Sequence, residues 1–351
     1  MHSATVLPLH GGHAPKWLFG RMVRLSRAIS DVIIDEFGPD ELVRRLSDKD
    51  WFQALACTIG YDWHSSGTTT VTVGALKEAL AGSTDIFIAG GKGKEGLKTP
   101  EQIGAGAELL NVSSEEGRFR ELSRLAAKVD SALVYDDIGI YHHAFIFTRN
   151  RKWAVVQQAM HPQSSNAIRF QWFSDNVNAN DVASEPHTGI QTKLKLNSMD
   201  LTYARNSWAR EGMKEALSEY ERVASKSLYP SRHEIVPRID MSRRAIDTIR
   251  RATELDPRDF RELLLVKGMG RATVRSLALV ASLIYDRELA YRDPVMYAYN
   301  LGGKDGIPFP VPRKTYDNVV ESMQQIIDQA RLEGKDKYLA LKRLSAAVSS
   351  G

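Results

Sequence analysis

Residues 123–160 read SRLAAKVDSALVYDDIGIYHHAFIFTRNRKWAVVQQAM, and two apolar runs in this stretch set the architecture. Ile140–Phe147 and Trp153–Ala159 are rich in aromatic and β-branched residues and are separated by a short polar link around Arg149-Asn150. That pattern predicts a β-hairpin. A helix is expected to end near Val129, with a further strand over Ala132–Tyr135. Embedded in this apolar stretch are Asp130, His142, His143, Gln157 and Gln158. A buried polar group without a partner costs about 1–3 kcal/mol, so the sheet is expected to carry a polar centre. Side chains alternate along a strand, which sends His142 and His143 to opposite faces and one of them towards solvent. The residues leave open which one.

Upstream, Leu18, Met22, Leu25, Ile29 and Ile33 recur at helical spacing within Lys16–Phe37, and Gly38-Pro39 ends that helix. A short helix over Glu41–Leu46 leads to Ser47 or Asp48 as the cap of the apolar segment Trp51–Tyr61. YDWHSSGTTTVTVGALKEAL follows, in which Asp62, His64 and several hydroxyls sit together. This is either a site loop, with an acid and an imidazole suited to a metal or phosphate, or a turn whose hydroxyls cap a helix over Val73–Leu80. A strand over Ile86–Ala89 then runs into Gly90-Gly91-Lys92-Gly93-Lys94. The spacing and final Gly-Lys-Ser/Thr of a nucleotide-binding P-loop are missing, so Lys92 and Lys94 are expected to touch a nucleic-acid backbone. Thr99-Pro100 starts the next helix. The opening through Pro15, with His10 and His13, reads as an extended arm.

Downstream, FQWFSDN and SEPHTGI continue the strand pattern, and His187 is placed to bring another imidazole to the same edge. A charged helix is expected over Asp200–Lys226. Leu263–Tyr285, LLLVKGMGRATVRSLALVASLIY, breaks at Gly268-Met269-Gly270 between two apolar periodic runs. It resembles the helix-hairpin-helix motif of DNA repair and replication proteins. The resemblance makes Gly268 and Gly270 the hairpin glycines, Met269 the apolar plug and Thr273 the usual threonine; Val274 stands where alanine is usual. Lys267, Arg271 and Arg275 surround the start of the second helix, where unpaired amides attract anions. Residues 226–275 hold 12 Lys and Arg against 7 Asp and Glu, a local balance of +5 in a chain of net +4. Such a stripe suits non-specific contact with DNA phosphates. After YNLGGKDGIPFPVPR, a Gly/Pro loop, helices are expected over Asp317–Glu333 and Asp336–Ala347.

The chain of 351 residues, 43% hydrophobic, is long enough for two domains with a packed core. The expected class is α/β (α+β): a mixed-sheet body over 1–225 and a helical helix-hairpin-helix unit over 226–351. A single cysteine, Cys57, excludes an internal disulfide or a Cys-rich zinc site. No apolar run approaches the roughly 18 residues of a membrane span, and MHSATVLPLHGGHAP lacks the basic head and hydrophobic segment of an export signal. A cytoplasmic protein without a membrane partner is the expectation.

LPLHGG, WLFGRM, WFQALACTIGYDWHSSGTTT, AGGKGK, AAKVDSAL, YHH, WAVVQQ, EPHT, RHEI and LGGKDGIPFPVPR together resemble the domain-of-unknown-function 763 family of archaea and bacteria over nearly the full chain. The resemblance implies an intracellular protein ending in a helix-hairpin-helix unit, and no settled activity. In YNLGGKDG, Asn300 and Leu301 stand where a histidine often precedes the glycines.

The expected function is DNA binding with metal-dependent hydrolysis of phosphodiester bonds in repair or processing. Asp62, His64, Asp130, His142 and His143 are the candidate catalytic groups, with Lys128 and Gln157 positioning. Asp62, His64 and His142 are the candidate ligands of a divalent metal, Mg or Mn. The carboxylate-x-lysine signature of restriction-type nucleases is absent. The alternative is a non-catalytic DNA-binding or repair-accessory protein; a third class uses Gly90–Lys94 to hold a nucleotide phosphate. Homo-oligomerisation stays open.

Overall fold

A computed structural model describes residues 16–60, 67–162, 167–192, 197–226, 239–295, 313–330 and 332–349. The arm through Pro15, the 61–66 segment with Asp62 and His64, and the Gly/Pro loop over 296–312 lie outside the described residues.

Five strands build one sheet in sequence order: β1 (Ile86–Lys92), β2 (Gly139–Thr148), β3 (Trp153–Met160), β4 (Ala167–Phe173) and β5 (His187–Gln191). The expected hairpin is β2–β3, closed by Thr148 N–H to Lys152 O at 3.0 Å, with Arg151 at φ +69°. The α/β (α+β) class holds, with one correction: every pairing is antiparallel, not mixed. Consecutive strands from β2 to β5 follow one another without a helical crossover, and a parallel pair needs a crossover of a dozen residues or more.

Helices cover both faces of the sheet, which is why β2 and β3 read as unbroken apolar runs and not as alternation. One face carries Ile86, Ile88, Ala144, Ile146, Ala154 and Val156. It packs on α1 (Lys16–Phe37), α2 (Pro39–Ser47), α3 (Lys49–Ile59) and α4 (Gly67–Ala79). Asp48 caps α3 as expected, accepting from Asp50 N at 2.9 Å and Trp51 N at 2.7 Å. α12 (Arg313–Gln329) and α13 (Gly334–Ser349) add Met323, Ile326, Ile327, Ala340 and Leu344 to the same core.

The other face carries Phe145, Phe147, Trp153, Val155 and Trp172. It shares a core with α6 (Thr99–Leu109), α7 (Glu116–Val129), α8 (Ser207–Lys226), α9 (Arg243–Leu255), α10 (Phe260–Leu265) and α11 (Arg271–Tyr285). A four-residue helix, α5 (Lys94–Leu97), links β1 to α6. Residues on both sides of position 225 therefore contribute to each core.

Three sequence expectations change. Ala132–Tyr135 is not a strand: Asp130–Val134 forms a wide π-helical turn that prolongs α7. α4 begins at Gly67, six residues before the expected start, and its threonines lie inside it, with Thr70 Oγ1 donating back to Gly67 O at 3.1 Å. Finally, neither His142 nor His143 faces solvent, because helices close both faces and alternation delivers each imidazole into a core.

Candidate functional site

The polar residues of β2 and β3 divide between the two faces. His143 and Gln157 are cross-strand neighbours and point towards α7, where they meet Asp130 from the turn that prolongs it. His143 Nδ1 lies 2.8 Å from Gln157 Oε1, which only accepts, so Nδ1 carries the proton. His143 Nε2 then accepts from Ser123 Oγ at 2.7 Å. The Gln157 amide nitrogen donates to Ala126 O at 3.2 Å and to Asp130. Asp130 also accepts from Trp172 Nε1 at 3.1 Å and from His187 Nε2 at 2.6 Å. Donation thus runs in one direction, from Ser123 through His143 and Gln157 to Asp130, with His187 and Trp172 closing the far side.

This brings together Asp130, His143 and Gln157 of the expected catalytic set, with His187 beside them. It also enlists Ser123 and Trp172, for which the sequence carried no signal beyond apolar surroundings. Asp130 is fully enclosed, and burial raises its carboxyl pKa against the opposing pull of His187, Trp172 and Gln157. Burial pushes His143 down to about 4, so its imidazole is neutral. With three donors around Asp130 and both nitrogens of His143 occupied, the centre is a saturated buried network of the kind that fixes a core. Ser123 is buried within this network, 2% exposed.

Lys128 does not join this centre. Its Nζ donates to Met269 O at 2.5 Å in the turn between α10 and α11, and burial lowers its pKa. The 269 carbonyl is thereby tied to the end of α7.

α10 and α11 lie on either side of a turn at Gly268 to Gly270, where the sequence breaks between its two apolar runs. Gly268 has φ +98°, a conformation glycine adopts without strain. A Cβ there would lie 2.7 Å from Thr248 Oγ1, so the turn rests directly on α9. Gly270 precedes the first residue of α11 and supplies no side-chain cap. Lys267 is exposed, and Thr273 is buried. The two arginines expected to meet phosphate are engaged within the chain. Arg271 donates to Ile138 O at 2.7 Å and pairs with Asp137 Oδ1 at 3.0 Å. Arg275 is buried, donates to Met199 O at 2.9 Å and to Leu133 O at 3.4 Å, and pairs with Asp136. They clamp α11 to the segment entering β2. The exposed cations near the turn come instead from α9: Arg251 donates to Lys267 O at 2.8 Å, and Arg244 lies on the same helical face as Thr248 and Arg251.

Lys92 and Lys94 are exposed where β1 ends, beside β2. Gly90 is required there, because a Cβ would collide with His143 O and Thr99 Oγ1. His142 sits on the opposite face from His143, 1% exposed, and neither of its ring nitrogens has a hydrogen-bond partner. Burial, with His143, Lys92 and Lys77 nearby, pushes its pKa down to about 3. Of the expected metal ligands it is the one within the described residues; among these no group of three or more His, Cys, Asp or Glu is arranged to hold a metal ion. Among them, too, no helix is long and apolar enough to cross a membrane.

A family model described as a protein of unknown function (DUF763) matches residues 3–311. No curated protein and no solved structure matches the chain.

Proposed function

The chain belongs to that family of unknown function, and from this starting point we propose that it binds DNA without sequence preference, gripping the sugar-phosphate backbone at the α10–α11 turn. The observation that carries this reading is the pairing of exposed Arg251 with Lys267 at a turn whose following helix starts without a side-chain cap, with Arg244 exposed two turns earlier on α9. Backbone amides and long cations of this kind recognise phosphate and not base edges. Arg271 and Arg275 brace the turn in this reading, and Lys267 with the α9 arginines makes the contact.

The enclosure of the Asp130 centre favours the non-catalytic form of this reading, since its carboxylate is fully buried and already engaged by Gln157, Trp172 and His187. The test is retention of duplex and single-stranded DNA over a salt series. Lys267→Glu combined with Arg251→Glu is expected to weaken binding at least tenfold at low salt and to lower the slope of log K against log salt by about 2. Unchanged retention would overturn the proposal. Incubation with DNA and Mg or Mn separates the two forms of the reading, because strand scission assigns hydrolysis to the protein and intact substrate at stoichiometric protein leaves binding alone.

A further inference from the structure

On the sheet face opposite the Asp130 network, four polar residues stand in one row. His142 pairs with Gln158, Gln158 with Arg169, and Arg169 with Gln191, on β2 to β5; Lys92 of β1 is the next neighbour of His142. Strands lie about 4.8 Å apart, so Lys92 and Arg169 are separated by about 14 Å across the sheet. Between them lie His142 and Gln158, and these two with Arg169 have unfilled hydrogen-bonding capacity. Both His142 nitrogens, Gln158 Oε1 and Arg169 Nε are buried without a partner. Three consecutive strands thus present orphaned polar atoms at one level of one face. Native interiors seldom tolerate one such atom without a ligand or an ordered water.

The electrostatics of the row are one-sided. Arg169 is 5% exposed, yet its guanidinium bonds only to neutral oxygens: Gln53 Oε1 at 3.3 Å, Lys49 O at 3.5 Å and Gln191 Oε1. It stacks over Phe52 at 4.6 Å. The carboxylate nearest in influence, Asp50, is held by Lys49 Nζ at 2.8 Å. At the other end Lys92 is exposed, and Lys77 donates to Gly90 O and Gln102 Oε1, each at 2.7 Å. A divalent metal would meet cations at both ends and too few acceptors between them. The unfilled donors, one imidazole N–H and the Arg169 Nε–H, ask for anionic oxygen. The unfilled acceptors, the second imidazole nitrogen and Gln158 Oε1, ask for hydroxyl or amide hydrogens on the same molecule.

We propose that this row is a binding site for a phosphate monoester of a polar alcohol, entered past Lys92 and floored by His142, Gln158 and Arg169. Two sources share that chemistry, a free mononucleotide and the 5′-phosphate terminus of a DNA strand. The site is independent of the α10–α11 turn and stands whether or not that turn holds DNA.

The experiment measures thermal melting and calorimetric titration of the full chain with inorganic phosphate, thymidine 5′-monophosphate, and a short single strand with either a 5′-phosphate or a 5′-hydroxyl. The phosphorylated probes are expected to raise the melting temperature by several degrees at saturation, and the hydroxyl-ended strand to act only through the turn. A larger effect of the mononucleotide identifies the free ligand, and a larger effect of the phosphorylated strand identifies the DNA end. His142→Phe is expected to melt no lower than the parent without ligand, since it removes two unpaired buried nitrogens, and to weaken binding at least tenfold. Lys92→Ala, on the surface and safe for folding, is expected to weaken it severalfold. Lys267→Glu with Arg251→Glu is expected to leave the mononucleotide shift intact, which separates this site from the turn. Absence of any shift with the phosphorylated probes, or affinity unchanged in both His142→Phe and Lys92→Ala, would overturn the assignment.

Discussion

His142 and His143 are chain neighbours with opposite hydrogen-bonding fates. One has both nitrogens satisfied by Ser123 and Gln157, the other has neither satisfied, and both are neutral because burial depresses their pKa values to about 4 and about 3. In the unfolded chain an imidazole titrates near 6.5. Below that value the unfolded state binds more protons than the folded state, so stability is present above pH 6.5 and is lost as pH falls towards 4 and 3. Between pH 7 and pH 5 each histidine is expected to remove about 2 kcal/mol, measured as the drop in urea midpoint; His142→Phe should make the loss smaller by its own share. Asp130 permits a second test at this scale. Asp130→Leu strands the Gln157, Trp172 and His187 donors in a dry interior and is expected to cost about 3 kcal/mol or more in denaturant unfolding. Alternation made the division of the two histidines between opposite faces legible in YHHAFIF. That neither meets water was not legible, because the covering helices come from residues 39–79 on one side and from 99–129 and beyond on the other.

At the scale of elements, the turn between α10 and α11 shows how far local sequence reaches. Its two helices and glycine corner follow from the spacing of Gly268 and Gly270 between apolar runs. The employment of its arginines does not, since the partners of Arg271 lie more than 130 residues earlier, at Ile138 and Asp137. Basic residues beside a glycine turn look like anion ligands until their counter-ions are found. Gly268→Ala is expected to destabilise the protein by about 1–3 kcal/mol, as a side chain there is strained at φ +98° and meets Thr248. DNA retention should fall with it. Lys128→Met removes the anchor on Met269 O and should speed amide hydrogen exchange across residues 268–273 while leaving the exchange of β2 and β3 unchanged. Helix starts divide in the same way: Asp48 before Trp51 was readable as a cap, while the threonines of α4 resembled a turn because they are poor helix formers held in place by packing.

At the scale of the whole molecule, the two cores differ in which parts of the chain build them. The core on the face that holds the His142 row is built from α1–α4 and also from α12 and α13, which pack on α1 and α3, so residues 323–344 complete a cluster begun at residue 22. The family match stops at residue 311, short of both closing helices. A chain cut after residue 311 is expected to expose Leu55, Ile59 and their neighbours and to bind a hydrophobic dye or aggregate, measured by fluorescence and light scattering. Folding order carries a further implication. During synthesis α1 and α3 leave the ribosome long before α12 and α13 do, so the apolar flanks of those two helices stay open until the later pair emerges. Met323, Ile326, Ile327 and Leu344 then join the cluster that holds Leu55 and Ile59, which makes α12 and α13 the latch of this core.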